Sequence, residues 1–406
     1  MDEMTARSHD PARLQAWPAR STHGTGPLAG LRVLDLTAYA VGPWAACNLA
    51  QLGADVIHVD PPYGDPIRAV LPRKHGEPTT YLSCTLGKRS IVLNLKDPGD
   101  HEIAVELAKN ADVLLENSRA GTLDRLGLGY ADLKDDNPGL VYCSSSSFGD
   151  TGPLAAMGST DPQGQAFSGF ASLNGSNGGE PEVLRYVALV DLATSMQLLN
   201  AVLLGLVARR RTGRGTHLRT SQLEAALSLQ ITRFAEYFST GVAAQPTGSG
   251  TYAVVPSRAY KCADNAWVSI TAPTDASWEA LCRTLGSPET AALLVYSSNQ
   301  ARLEHREEID KAVESTIATR PAAWWTQLLP RQGVACTRLR TLDEKPEHHD
   351  HIRSNGFIQR VPHPLGGDLA VAGPVWRFER TPVALGDPEL PGNHTRELLN
   401  QMGIER

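Results

Sequence analysis

The chain has 406 residues, and at roughly 150 residues per domain this length predicts two or three domains. Hydrophobic residues make up 41% of the sequence and charged residues 20%, which is typical of a globular protein and excludes disorder of the whole chain. The net charge of −6 argues against a general nucleic-acid binder, although the 38 Lys and Arg residues allow a local anion site.

The six cysteines are scattered without a CxxC pair, which predicts reduced thiols in a cytoplasmic protein. The densest histidine cluster, residues 348–351, lacks metal-ligand spacing, so we expect no metal site. No apolar run reaches the roughly 18 residues of a membrane span, so no membrane partner is expected. Residues 1–26 are polar, without the apolar segment of a signal peptide, and are expected to form a flexible arm.

The first 150 residues alternate between strand and helix patterns. Residues 31–36 form a short apolar run that predicts a strand, residues 44–52 have helical spacing, and residues 55–59 predict a second strand. This β-α-β succession indicates a doubly wound parallel sheet. The same alternation continues through predicted elements at residues 90–95, 99–111, 112–116 and 140–144.

The second half of the chain has longer predicted helices and a loop-rich boundary. Long helices are predicted at residues 191–211 and 221–239, and a Gly- and Pro-rich loop at 241–250 marks a boundary. Beyond it the pattern predicts a smaller α/β domain up to about residue 330, then a loop-rich return and a last helix at 395–402.

Standard nucleotide motifs are missing from this sequence. The segment after the first strand, residues 40–45, does not match GxGxxG, and there is no GxxxxGK[ST] motif. Lys88 and Arg89 are adjacent cations before a strand, which suits a phosphate or carboxylate site but also a solvated loop. Residues 144–147 are four serines at a strand end, and without a GxSxG elbow they do not predict a serine hydrolase.

Asp161 lies between Thr160 and Pro162, and Gln165 follows one helical turn later. Ser, Thr and Asp before a proline are ordinary residues for the start of a helix, so Asp161 could be a helix cap. The alternative is a nucleophilic carboxylate held at the positive end of a helix.

Several segments, in order, resemble the family III CoA-transferases, also called the CaiB/BaiF family. The similarity spans about residues 27–400, and the ordered set is specific although each motif is short. The matching segments are residues 27–37, 42–43, 52–57, 87–90, 112–117, 126–130, 137–142, 148–153 and 211–215.

The resemblance implies a Rossmann-like large domain with a parallel sheet, a smaller inserted α/β domain and an interlocked homodimer. On this basis residues 27–225 form the N-terminal part of the large, CoA-binding domain. Residues 226–330 supply a linker and the small domain, and residues 331–406 return to complete the large domain.

The resemblance also implies an enzyme that moves CoA from an acyl-CoA thioester to a carboxylic acid. The family's nucleophilic aspartate precedes a segment like residues 165–169, Gln-Ala-Phe-Ser-Gly, and Asp161 stands at the required distance from it. Asp161 would form a mixed anhydride and then an aspartyl-CoA thioester. CoA is then a substrate, and no permanently bound cofactor is expected.

Further site residues follow from the same resemblance. The positions implied to bind CoA are Val41, Lys88, Arg89, Asn117, Arg125 and Ser146. The positions implied to form the acyl pocket and oxyanion site are Tyr39, Ala40, Gly248 and Gly250. The turn at residues 38–41 lacks the polar His and Gln of formyl-CoA transferase, which favours a larger or less polar acyl group than formate or oxalate.

Two other functions stay open. The α-methylacyl-CoA racemases share this fold, but the histidine that they carry before the aspartate is Thr160 here. A binding-only relative would hold acyl-CoA without chemistry. The sequence does not identify the donor or the acceptor acid.

Overall fold

The computed structural model describes residues 17–19, 25–291 and 293–404. Their contacts divide the chain into two units. The first unit combines the described residues of Met1–Ser168, Leu184–Thr232 and Glu347–Arg406, and the second combines those of Gly169–Val183 and Arg233–Pro346.

Short strands recur along the whole described chain. In chain order they are β1 (Arg32–Asp35), β2 (Asp55–Asp60), β3 (Arg73–Lys74), β4 (Glu77–Pro78), β5 (Arg89–Val92), β6 (Val113–Glu116), β7 (Val141–Ser146), β8 (Thr216–Ser221), β9 (Ser257–Lys261), β10 (Trp267–Thr271), β11 (Ala335–Arg338), β12 (Ile358–Pro362) and β13 (Asp368–Ala372).

The α-helices alternate with these strands in the first half and dominate the second. They are α1 (Val41–Gln51), α2 (Thr79–Cys84), α3 (Pro98–Asn110), α4 (Tyr130–Leu133), α5 (Asp161–Phe167), α6 (Leu189–Thr212), α7 (Gln222–Ser228), α8 (Ile231–Thr240), α9 (Asp275–Thr284), α10 (Pro288–Ala291), α11 (Asn299–Glu304), α12 (Arg306–Ile317), α13 (Ala322–Arg331), α14 (Asp350–Ser354) and α15 (Thr395–Gln401). The helix predicted at 221–239 is therefore two helices, α7 and α8.

A six-stranded sheet in the order β5-β2-β1-β6-β7-β8 forms the centre of the first unit, and all its neighbouring strands are parallel. The predicted α/β fold with a parallel sheet is confirmed. The strand order changes direction at β1, where chain neighbours continue on opposite sides. In such sheets a crevice opens at the carboxyl ends of the strands next to this switch point.

Both faces of the sheet are covered, which explains why β1, β2 and β6 carry consecutive apolar residues. Successive residues of β1 point to opposite faces. Val33 packs in one core cluster with Leu49 of α1 and Leu198 of α6, while Leu34 packs in the other with Leu107 of α3. These side chains are 0–1% exposed, so the two apolar layers fix the sheet between helices.

Helix α6 is the longest helix of the described chain, with 24 residues. Its length and mean hydropathy of 1.6 would suit a membrane span, and a core helix of a soluble protein passes the same test. Leu198, Leu199 and Val202 pack on the sheet, so this face of α6 belongs to the core. Gly205 lets α6 approach closely, because a Cβ there would lie 2.5 Å from Val141 Cγ1.

The second unit contains a three-stranded antiparallel sheet in the order β11-β10-β9. Its core includes Tyr260 and Ile270 from the strands, Leu281 from α9 and Trp325 from α13. The Trp325 indole N–H donates to Ile317 O at 2.8 Å, so the buried polar group is satisfied.

The second unit extends beyond residue 330, the end predicted for the segment of linker and small domain. Ile270 of β10 pairs with Cys336 of β11, and this long-range pairing extends the second unit to Pro346. The unit also includes residues Gly169–Val183, and its long segment begins at Arg233, within the predicted stretch of linker and small domain. Local composition marks loops but does not reveal which sheet a later strand joins.

The predicted flexible arm, residues 1–26, also needs correction at one point. Trp17 is 5% exposed, packs in the core and donates its indole N–H to Asp55 Oδ2 at 2.8 Å. Arg89 donates to Pro18 O at 2.9 Å and so holds the same short segment. Residues 1–16 and 20–24 of the predicted arm lie outside the described residues.

Candidate active site

Asp161 is the first residue of α5, and its side chain does not cap that helix. Thr160 occupies the cap position, where its backbone N–H donates to Gln163 Oε1 at 3.2 Å. The Asp161 carboxylate instead accepts hydrogen bonds at Oδ2 from the backbone N–H groups of Val190, at 2.7 Å, and Asp191, at 3.1 Å. These groups open the first turn of α6, whose positive end stabilises negative charge.

Gln165 holds the other oxygen of the same carboxylate. Its Nε2 donates to Asp161 Oδ1 and, at 3.0 Å, to Leu184 O. Its Oε1 accepts the Leu184 N–H at 2.9 Å, so both ends of the fully buried amide are fixed. Asp161, itself 5% exposed, is therefore held by three donors in one orientation.

A cavity of about 610 Å³ opens beside Asp161, within the first unit. Its wall includes Thr160 and Asp191, the residues that flank Asp161 in the chain and in space. Most of the remaining wall comes from loops at the carboxyl ends of β1, β6 and β7, as the switch point of the sheet leads one to expect. The predicted site residues that line it are Tyr39, Ala40, Val41, Asn117 and Ser146.

Asn117 fixes the loops that form this wall. Its Oδ1 accepts the Ala38 N–H at 2.9 Å, and its Nδ2 donates to Ala38 O at 2.8 Å. The next residue, Tyr39, has a φ of 65°, a left-handed conformation unusual for a side chain of this size. Its N–H is held by both Asp65 carboxylate oxygens at 3.2 Å, and its ring is 54% exposed beside the cavity. Strain of this kind marks a constrained functional turn.

Lys88 and Arg89 do not line this cavity, and their contact with CoA phosphates stays a prediction. The Lys88 ammonium is 1% exposed and lies 2.9 Å from Asp35 Oδ2. Arg89 pairs with Asp55 Oδ2 at 2.6 Å and is 5% exposed. Each cation thus neutralises a buried or partly buried carboxylate. In both pairs the carboxylate lies more than 30 positions away in the sequence.

The other predicted residues lie elsewhere. Arg125 is exposed, outside the cavity wall, and donates to Thr122 Oγ1 at 3.3 Å. Gly248 and Gly250 belong to the second unit, where the Gly248 N–H donates to Gly175 O at 3.0 Å. Among the described residues, no three His, Cys, Asp or Glu side chains are grouped to hold a metal ion.

Asp191 is a site residue that the sequence analysis missed. It lines the cavity, and Oδ1 accepts a hydrogen bond from Gln222 Nε2, while Gln222 Oε1 accepts one from the Ser159 hydroxyl. Burial and the neighbouring Asp161 charge raise the pKa of Asp191 to about 6. Its position at the start of a predicted helix gave no signal of a site, because the neighbouring carboxylate of Asp161 comes from 30 residues earlier in the sequence.

Arg119 is the second missed residue. It lines the cavity, and in the described part of the chain no ion pair involves its guanidinium. An arginine without a carboxylate partner at a cavity wall is suited to bind an anionic ligand. The sequence signal was weak, since a single arginine in a loop is usually solvated.

Comparison with known proteins shows the family of this chain. A family model for CoA-transferase family III matches residues 28–395. The chain is 33% identical to the succinyl-CoA:glutarate CoA-transferase of Mus musculus over 93% of this chain and 86% of that protein. It is 36% identical to the acetyl-CoA:oxalate CoA-transferase of Acetobacter aceti over 76% and 79% of the two chains.

A solved structure shares the fold as well. The CAIB/BAIF family protein from Brucella suis superposes with a TM-score of 0.83 and 26% identity, covering 93% of this chain and 100% of that chain. The resemblance seen in the sequence is confirmed, and the chain belongs to CoA-transferase family III.

Proposed function

We propose that this enzyme transfers CoA from an acyl-CoA thioester to a carboxylic acid, with Asp161 as the nucleophile. The observation that carries the proposal is the buried Asp161 carboxylate, fixed by Val190, Asp191 and Gln165 at the edge of a cavity. Asp161 Oδ1 attacks the thioester carbonyl, the C–S bond breaks, and CoA leaves as the thiolate. The product on the enzyme is a mixed anhydride.

The remaining steps exchange the same groups without a net proton. The CoA thiolate attacks the Asp161 carbonyl carbon, which releases the first carboxylic acid as its carboxylate and leaves an aspartyl-CoA thioester. The acceptor carboxylate then attacks that thioester to form a second anhydride and free thiolate again. Attack of the thiolate on the acceptor's carbonyl carbon gives the new acyl-CoA and restores the Asp161 carboxylate.

The two oxygens of the Asp161 carboxylate have different hydrogen-bond donors, and we assign them different roles in the reaction. Oδ2 is held by two backbone N–H groups, from Val190 and Asp191, which cannot move without unwinding α6. When a nucleophile attacks the Asp161 carbonyl carbon, negative charge develops on Oδ2, and the two donors stabilise it as an oxyanion hole does. Oδ1 is held by the side chain of Gln165, so it is the oxygen left to attack.

The acceptor that we propose is a dicarboxylic acid larger than oxalate. Several relatives are named for such acids, including glutarate and mesaconate. Arg119 would bind the distal carboxylate, because its guanidinium has no ion-pair partner in the described chain. Ala40 and Val41 provide an apolar wall that suits the carbon chain between the two carboxylates.

Trapping of the covalent intermediate tests the proposal. The protein is incubated with succinyl-CoA or glutaryl-CoA, treated with hydroxylamine or borohydride and analysed by intact-protein mass spectrometry. We expect a hydroxamate or a reduced residue at Asp161, and none in Asp161→Ala. The Asp191→Asn variant is the matched control, which should still be modified at Asp161.

Two results would contradict this function. Exchange of an α-proton of the acyl-CoA with deuterated solvent, without any adduct, would indicate the racemase. Tight binding of the acyl-CoA with neither adduct nor exchange would indicate a non-catalytic relative.

A further inference from the structure

The second unit contains a cavity of its own, with a volume of about 270 Å³. None of the steps proposed above uses it. The polar and charged residues of its wall are Asn177, Thr247, Tyr252, Arg258, Arg306 and Asp310.

Arg306 is the unusual member of this group. It is half-buried at the start of α12, and among the described residues no hydrogen bond or ion pair involves its guanidinium. Gly250 lies next to this guanidinium, since a Cβ at Gly250 would be in ordinary van der Waals contact with Arg306 Nη1, at 3.8 Å. A half-buried guanidinium that faces a cavity can offer its N–H donors to an acceptor that enters the cavity.

The rest of the wall leaves positive charge in excess. Arg258 Nη1 lies 3.6 Å from Asp310 Oδ2, which is too long for a direct hydrogen bond. Asp310 Oδ1 already accepts the Tyr260 hydroxyl at 2.7 Å. Two guanidinium groups face one carboxylate, so the cavity retains about one positive charge.

We propose that this cavity binds a small carboxylic acid, with its carboxylate on Arg306. The planar fork of arginine matches the two oxygens of a carboxylate, and a singly charged head group balances the excess charge. A phosphate dianion would place both of its negative charges close to Asp310, whereas the carbon chain of a dicarboxylic acid such as glutarate keeps its second carboxylate away from the one on Arg306. The volume suits an acid of a few carbon atoms and excludes CoA itself.

Isothermal titration of the full chain with glutarate tests this site without any acyl-CoA, so its outcome is independent of CoA transfer. The titration uses the Arg119→Gln variant, in which the acceptor site of the first unit is weakened. We expect glutarate to bind and the neutral glutaramide not to bind. Adding Arg306→Gln should weaken glutarate binding at least about tenfold, because a charged hydrogen-bond donor is lost.

The matched control is Arg283→Gln, a change at an exposed arginine of α9 outside the cavity wall, which should leave binding unchanged. Arg306→Lys keeps the charge but loses the fork, so an intermediate affinity is expected even if Arg306→Gln folds poorly. Absence of glutarate binding, equal binding after Arg306→Gln in a folded protein, or preference for inorganic phosphate would each overturn the proposal.

Discussion

At the scale of single residues, Asp161 and Asp191 form an acidic pair at the start of α6. The Asp191 N–H lies 3.1 Å from Asp161 Oδ2, and burial together with the Asp161 charge raises the pKa of Asp191 to about 6. The folded state therefore binds the Asp191 proton more tightly than the unfolded chain does. Stability from this group is present below about pH 4 and is lost as pH rises to about 6.

At high pH, ionisation of the buried Asp191 costs the folded protein free energy, and the Asp191→Asn variant should remove this cost. We expect its free energy of unfolding at pH 8 to exceed that of the unmodified protein by about 1–2 kcal/mol, a value discounted for partial solvent exposure. At pH 4 the two proteins should differ little, since Asp191 is then protonated. Urea denaturation at both pH values provides the measurement, and equal differences at pH 4 and pH 8 would contradict the argument.

At the scale of elements, β1, β2 and β5 share a buried charge network. Burial opposes ionisation of Asp35, yet Lys88 and His58 hold the pKa of the Asp35 carboxyl below its usual range. Burial also opposes the charged form of His58, but Asp35 and Asp60 raise its pKa to about 10. Lys88 therefore neutralises charge that three strands bring together.

Replacing Lys88 by methionine should leave Asp35 incompletely paired inside the protein. We expect the free energy of unfolding to fall by about 3 kcal/mol. Lys109→Met is the matched control, because the Lys109–Asp136 pair is exposed and should contribute less than about 1 kcal/mol. Normal stability of Lys88→Met together with a raised KM for acyl-CoA would instead support the original prediction of a phosphate contact.

Helix α6 depends on a close approach to the sheet at Gly205. A Cβ at this position would lie 2.5 Å from Val141 Cγ1 and 2.8 Å from Leu218 Cδ1. Gly205→Val should therefore push α6 away from the sheet and lower the free energy of unfolding by about 2–3 kcal/mol. Leu204→Val, at an exposed position of the same helix, is the control for β-branching. A Gly205→Val protein as stable as this control in urea would contradict the packing argument.

At the scale of the whole molecule, local patterns predicted the alternating elements of the first unit and a smaller α/β domain, but not which distant segments join each unit. The strand predicted at residues 55–59 corresponds to β2 (Asp55–Asp60). This prediction succeeded because a short apolar run bounded by turn residues is typical of a strand. The burial of Lys88 was not predictable, since its partner Asp35 comes from a different strand. The same holds for β11, whose pairing with β10 joins residues more than 60 positions apart.

The last prediction concerns the assembly, which the family resemblance implies to be an interlocked homodimer. None of the ten residues of α8 is buried, although the helix contains Phe238, 78% exposed, and begins at Ile231, 70% exposed. Apolar side chains of this size on one exposed helix favour an interface.

Light scattering should therefore give a mass of about twice 43.7 kDa. Phe238→Glu should reduce that mass or cause aggregation, whereas Tyr63→Glu, at an 85% exposed aromatic of the first unit, should not. A monomer at every concentration tested would rule out the dimer.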